Sequence, residues 1–281
     1  MKIREMREAA QRPQRNNDGF YTRHVARFFS IYLTRILVAA GLTANTVTGL
    51  MMAAGLCAAL LFTSVSLLHR VAGALVMQFW FILDCCDGEV ARLRKSSSLT
   101  GLYMDYLVHY TVHPCMIFFL GIGLFRAGDD GSVLILAFSA AMAVLLADIV
   151  EDCRYKAVYL EGVKSKPASK PAGQSPPRPG RGRVSPLRGT IQRVIVFFCS
   201  LYYLFKFPAV MNLMCAGIVL DWSMVMPSIS WSKMVLLFIG TAGHLHWTSI
   251  AAATIYYRET ERSYSISGGM GRADREKSSR R

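Results

Sequence analysis

The 281-residue chain has little acid and little charge of any kind. Asp and Glu number 18 against 32 Lys and Arg, charged residues make up only 18% of the sequence, and residues 45–68 carry no charge at all. Beside a hydrophobic content of 53%, this scarcity excludes a disordered chain, a coiled coil and an ordinary soluble enzyme. The seven cysteines fall mostly inside apolar runs. They lack the even, loop-borne spacing of a disulfide framework and read as small packing residues. The first 20 residues contain no apolar run, so no cleavable leader is expected. A net charge of +14 would suit nucleic acid in a soluble protein. Here the anionic lipids of a cytoplasmic leaflet are the better counterpart, and no nucleic-acid partner is expected.

Long apolar segments are abundant. A membrane-spanning helix needs about 20 mostly apolar residues, and six segments qualify: roughly 45–68, 71–92, 99–124, 132–150, 205–221 and 233–257. Helices satisfy their own backbone groups in lipid. The expected fold class is therefore all-α: a polytopic membrane protein with six transmembrane helices preceded by an amphipathic interfacial helix. Residues 1–44 form a cytoplasmic N-terminal segment, 45–257 the membrane domain, and 258–281 a disordered basic tail. Residues 162–190 hold six of the ten prolines, seven Lys or Arg and no acid, a flexible basic linker that cannot bury a core.

Basic residues set the expected orientation. Alternating spans place residues 1–44, 92–98, 152–193 and 258–281 on one side, and these hold 28 of the 32 Lys and Arg. Both termini are expected in the cytoplasm. Within residues 20–40, Arg23, Arg27, Ser30 and Thr34 recur at helical spacing opposite Phe28, Phe29, Leu33, Ile36 and Leu37, the pattern of a helix resting at headgroup level. Gly41 should stop it, and the residues from Thr43 to Thr48 should open the first span.

Acids inside a bilayer cost about 2.5–3.5 kcal/mol each on insertion scales, so they usually mark function. The second and third spans hold Asp84, Asp87, Glu89 and Asp105, with Arg92 and His109 nearby. If the two helices turn at about residue 96, Asp87 lies level with Asp105, and Asp84 level with His109. Spacings of three and four put each pair on one helix face. Three carboxylates that close would repel, and a bound cation removes the difficulty. Hard oxygen ligands favour Mg²⁺, Mn²⁺ or Ca²⁺, and Mg²⁺ leaves room for substrate phosphates. Gly88, Ala91 and Gly101 strip bulk from the same faces, so a ligand can approach the backbone. Two other arrangements use the same acids: a buried network paired with Arg92 and Arg94, and a cation or proton relay in a transporter. A transporter usually shows matching broken spans in both halves, and here the acids are confined to one hairpin.

Written out, the run is Asp84-Cys-Cys-Asp87-Gly88-Glu-Val-Ala91-Arg92, eight residues, then Gly101-Leu-Tyr-Met-Asp105-Tyr-Leu-Val-His109. It closely resembles the signature of the CDP-alcohol phosphotransferase (CDP-alcohol phosphatidyltransferase) family, D-x2-D-G-x2-A-R-x8-G-x3-D-x3-D, with seven of eight positions matched and all spacings kept. Thr43-Ala44-Asn45-Thr46-Val47-Thr48 resembles the family's T-P-N-x-x-T opening of the first span, with Ala44 where proline is usual. The resemblance weakens beyond about residue 150.

The resemblance implies a membrane transferase of phospholipid or related polar-lipid synthesis. An acceptor hydroxyl attacks the phosphorus that carries the alcohol of a CDP-linked donor, and CMP leaves. It implies a two-metal site of Mg²⁺ or Mn²⁺ held by Asp84, Asp87, Asp105 and His109. The CMP and diphosphate pocket it implies comprises Asn45, Thr48, Asp84, Gly88, Ala91, Arg92 and Gly101. His109 stands where the family has its last Asp, a metal ligand and the proposed general base. Histidine can act as a base near neutral pH or bind metal through one nitrogen, with a preference for Mn²⁺ or Zn²⁺ over Mg²⁺. Three readings stay open: His109 as working base, alongside Asp105 in catalysis; altered-metal chemistry; and a diverged, non-catalytic member. His113, His244 and His246 read as packed core histidines. The donor is CDP-diacylglycerol or a CDP-aminoalcohol, the acceptor is not named by the residues, and a homodimer is left open. Arg154 and Arg193, with Lys156 and Arg188, are candidate acceptor-binding residues or ordinary cytoplasmic basic residues.

Overall fold

A computed structural model describes residues 2–15, 18–164, 206–224, 228–256 and Thr260. Among them there is no β-strand. The chain divides into two compact units, Met1–Leu145 with Tyr203–Gly243, and Leu146–Tyr202 with His244–Arg281. The helices are α1 (Ile3–Met6), α2 (Arg27–Ala39), α3 (Ala44–Phe62), α4 (Leu67–Arg94), α5 (Leu99–Arg126), α6 (Ser132–Lys164), α7 (Phe207–Trp222) and α8 (Trp231–Tyr256). Wider π-helical turns at Arg7–Gln11 and Thr22–Ala26 extend α1 and lead into α2.

Among the described residues, five helices are long and apolar enough to cross a membrane: α3, α4, α5, the Ser132–Leu160 part of α6, and α8. The sixth, α7, is apolar but has 16 residues. At 1.5 Å per residue it is about 24 Å long, somewhat under a hydrocarbon thickness of about 30 Å. The protein is thus a multi-pass membrane protein of all-α class. One boundary shifts: the span expected over 132–150 continues as helix to Lys164, so the first residues of the expected 162–190 linker are helical. The remainder of that linker and the tail beyond Thr260 lie outside the described residues.

Local chemistry accounts for the helix ends around the hairpin. Gly41 takes φ +80° after α2, a backbone state open to glycine without a Cβ clash. Thr43 caps α3, its hydroxyl accepting from the backbone N–H of Thr46 at 3.2 Å. Ser98 does the same for α5, accepting from the N–H of Gly101 at 3.0 Å. Between them α4 ends at Lys95, held left-handed at φ 52°, so the reversal sits within a residue or so of the expected 96. The first unit's core gathers Met51, Phe62, Trp80, Val112, Met116 and Met211, all fully buried. Helix α3 comes close to α4 and α5 because Gly55 faces them. A Cβ there would stand 2.5 Å from Val112 Cγ1 and 2.9 Å from the Trp80 ring.

The surface helix departs from expectation in one respect. It is amphipathic as its spacing predicts, but its polar stripe turns inward. Ser30 and Thr34 are fully buried, whereas Phe28, Phe29 and Ile36 are 49%, 52% and 64% exposed. The reason is Glu89, an acid of α4 with no solvent exposure. Its Oε1 accepts from Ser30 Oγ at 2.6 Å, Gln11 Nε2 at 2.9 Å and Arg27 Nη1 at 3.0 Å, and its Oε2 from Thr34 Oγ1 at 2.7 Å. Water would satisfy such a stripe cheaply, but a buried carboxylate needs those donors far more. The outward aromatic face suits the acyl-chain boundary. Arg27 also binds Asp18 at 3.1 Å. Burial opposes its charge, yet Cys85, Asp18 and Glu89 together hold its pKa above the ordinary arginine value. The Tyr21 hydroxyl bonds Gln78 of α4, which donates to Asn212 Oδ1 of α7 at 3.1 Å.

In the second unit, Trp247 Nε1 donates to His244 Nδ1 at 2.8 Å and His246 is buried, in keeping with packed histidines.

Glu89→Ala leaves Arg27 without its buried partner and orphans two hydroxyls. Thermal unfolding in detergent micelles is expected to show a loss of about 3 kcal/mol. Glu89→Gln, which keeps an acceptor for Ser30 and Thr34, is expected to lose less. An unchanged unfolding midpoint for the alanine variant would contradict the clamp.

Candidate active site

The site is built on the facing ends of α4 and α5, with the start of α3 beside them. On α4, Asp84 and Asp87 are about one turn apart. On α5, Asp105 and His109 repeat the arrangement. The hairpin brings His109 Nε2 to 3.1 Å from Asp84 Oδ1 and 3.2 Å from Asp105 Oδ1. Ligand atoms of Asp84, Asp105 and His109 all lie within 4.8 Å of one another. All three side chains are partly open, at 22%, 35% and 24% exposure, so a small ion and its ligands can reach them. Two carboxylate oxygens and an imidazole nitrogen form a donor set that fits a divalent cation, with room for harder oxygen ligands from a substrate.

Asp87 does not join this tight group. Its Oδ2 accepts from Thr48 Oγ1 at 3.1 Å, which ties the first turns of α3 to the acid pair. Thr48 also donates to the Ala44 carbonyl at 3.1 Å. Gly101 lies against α3: a Cβ there would stand 3.0 Å from Asn45 Oδ1, so the missing side chain leaves the Asn45 amide its place. Gly88 is opposite the Arg92 guanidinium, 3.2 Å from where its Cβ would be. Arg92 itself donates through Nε to the Ala10 carbonyl at 2.6 Å, and Arg94 through Nη2 to the Val38 carbonyl at 3.1 Å. The alternative network of acids paired with Arg92 and Arg94 is therefore not formed. Both arginines bind the N-terminal segment, and Ala91 lies half-buried beside them.

Some expected residues lie elsewhere. Arg154 and Lys156 belong to the second compact unit, and Arg188 and Arg193 lie outside the described residues. Behind the site stand His113, read from the sequence as a packed histidine, and two aromatic residues that did not stand out there. His109 Nδ1 is 3.0 Å from His113 Nε2, and the His113 ring stacks on Phe207 of α7 with centroids 3.5 Å apart and planes 4° apart. Trp80 stands edge-on to both imidazoles at 5.7 and 5.5 Å. The i, i+4 spacing of His109 and His113 was the available signal. Phe207, almost a hundred residues away in the chain, carried none.

The model of one protein family, CDP-alcohol phosphatidyltransferase, matches residues 41–225, about two thirds of the chain and the whole of the site just described. The chain belongs to the CDP-alcohol phosphatidyltransferase family. No individual curated protein matches it. Membership makes it a membrane transferase of lipid synthesis, whose reaction pairs a CDP-alcohol donor with a hydroxyl acceptor, and leaves the transporter alternative without support. The surface helix α2 and the Gln11–Arg27 clamp lie upstream of the matched region.

Asp84→Asn and Asp105→Asn are each expected to weaken Mn²⁺ binding at least tenfold, read by electron paramagnetic resonance of the free ion. Asp130→Asn, on the exposed turn between α5 and α6, should leave it unchanged. Equal affinity in all three variants would remove the metal assignment.

Proposed function

We propose that this chain transfers a phosphoalcohol group, phosphatidyl in kind, from a CDP-alcohol to a hydroxyl acceptor with release of CMP, in a divalent-metal-dependent reaction on the cytoplasmic face of the membrane. The observation that carries the reading is the meeting of Asp84, Asp105 and His109 at 3.1–3.2 Å, with Asp87, Thr48 and Asn45 alongside.

Asp84 and Asp105 would hold a metal ion, with Asp87 serving a second one. Bound there, Mg²⁺ or Mn²⁺ neutralises the donor's diphosphate and stabilises the attacking and leaving oxygens. The protein's own groups do the rest. Asn45 and Thr48 at the start of α3, with Gly88, Ala91, Arg92 and Gly101, line the CMP side; the glycines let the nucleotide approach the backbone. The acceptor oxygen forms a bond to the phosphorus bearing the alcohol, the bond from that phosphorus to the CMP oxygen breaks, and the hydroxyl proton passes to a base on α5. His109 is that base, with Asp105 beside it, and the ring is oriented from both ends by the carboxylates and His113. One geometric fact favours a second role: Nε2 lies between the two carboxylates, 3.1 Å from Asp84 Oδ1 and 3.2 Å from Asp105 Oδ1, so His109 can instead serve as a ligand whose Nδ1–H is fixed by His113.

The cytoplasmic placement is supported by the basic residues, 28 of which fall on one side if six spans alternate. A lipid tail then stays in the bilayer while CMP leaves to water. Arg154 and Arg193 are candidate contacts for the acceptor. The donor is CDP-diacylglycerol or a CDP-aminoalcohol.

Purified protein given Mn²⁺ or Mg²⁺, each donor in turn and a pool of hydroxyl acceptors is expected to release CMP, and EDTA should abolish the release. Asp105→Ala should lose at least a hundredfold in turnover; full turnover in that variant would sink the assignment.

His109→Ala is expected to lower turnover by about 10²–10⁴, the usual contribution of a general base, while His109→Asp keeps or raises it. Mn²⁺ affinity separates the two roles. It stays near wild type in His109→Ala if the residue is only a base and falls at least tenfold if it is a ligand.

A further inference from the structure

At the end of α4 away from Asp84 lies a cavity of about 400 Å³, within the size range of small-ligand sites. Arg70 lines it, fourteen residues before Asp84, or about 21 Å along the helix axis. Its lining is mixed, with Leu67, Leu124, Leu220 and Met224 beside Asp129, Asp221 and Ser228.

Arg70 is 7% exposed. Its Nε has no hydrogen-bond partner, and Nη2 reaches only the Val65 carbonyl at 3.4 Å. Two carboxylates border the same cavity, Asp129 and Asp221; both attract the Arg70 charge from a distance, but each makes its direct contacts elsewhere. Asp129 takes Lys233 Nζ at 3.3 Å. Asp221 accepts the backbone N–H groups of Trp231 at 2.6 Å and Ser232 at 3.1 Å, and so caps α8. Among the described residues no carboxylate lies within 4.0 Å of Arg70. A buried donor without an acceptor costs about 1–3 kcal/mol, more when charged. An arginine fork matches a phosphate by two parallel hydrogen bonds.

The location narrows the source of that phosphate. Helix α4 begins at Leu67, α5 ends at Arg126 and α7 ends at Trp222, so the cavity sits where spans meet the headgroup layer. Leu68 and Trp222 are 66% and 56% exposed there, as suits acyl chains and an interfacial aromatic.

We propose that this cavity is a binding site for a phosphate ester, with a phospholipid headgroup of the leaflet opposite the active site as its source. Arg70 holds the phosphate, and the leucine walls receive the glycerol backbone and upper acyl chain. The site is separate from the transfer reaction and does not depend on it.

The test is native mass spectrometry of the full chain released from detergent, titrated with dioleoylphosphatidylglycerol. Wild type is expected to retain one lipid at least tenfold more tightly than Arg70→Gln, with Arg70→Lys between them. Asp105→Ala should keep the lipid, which separates this site from the catalytic one. Ser228→Glu places a negative charge at an exposed position on the cavity while leaving Arg70 intact, and it should also weaken retention at least tenfold, so the test survives if Arg70→Gln does not fold. Equal retention in Arg70→Gln and Ser228→Glu overturns the site. Displacement of the lipid by an equal concentration of inorganic phosphate overturns the lipid as its source.

Discussion

A carboxylate set among apolar helices costs several kcal/mol unless donors or cations meet it, and the α4–α5 hairpin of this protein is arranged around four of them. Glu89 is met entirely by protein: an arginine, a glutamine and two hydroxyls from the N-terminal segment. Asp87 is met by a threonine of α3. Asp84 and Asp105 are met only by one imidazole, shared between them, and remain partly open. The contrast separates a closed structural acid from a pair left available to a ligand, although all four lie within about three turns of the same reversal.

The closed acid and the open pair are mechanically linked. The residues holding Glu89 come from Gln11 and α2, and Arg92 of the same helix face holds the Ala10 carbonyl. The N-terminal segment is thereby pinned across α4 at the level of Gly88 and Ala91, the small residues beside the acids. Its outer face leaves Phe28, Phe29 and Tyr32 exposed, as suits a lipid boundary, while its inner face holds the buried acid. Rigid support of this kind is what a transfer reaction needs, because reacting oxygens must be held within hydrogen-bond tolerance of their partners.

Much of the site was legible in one dimension. Spacings of three and four on two helices joined by a tight turn dictate that Asp84, Asp105 and His109 converge, since helix geometry leaves them little freedom once the turn is placed. Two helix ends were legible for the same reason: Thr43 and Gly41 act through groups a few residues away. The polar stripe of α2 was legible as a stripe but not as a direction. Its periodicity is the same whether it faces water or a buried acid, and only the position of Glu89, some sixty residues later, decides between them.

The sequence by itself determined the membrane class, the approximate spans and the hairpin of acids, because each follows from local hydropathy or helical period. Tertiary structure alone decided which acid is satisfied and which is open, that Arg92 and Arg94 bind the N-terminal segment and not the acids, and that His113 and Phe207 stand behind His109. Those outcomes depend on which helices lie side by side. Contacts between residues distant in the chain leave no trace in periodicity or composition.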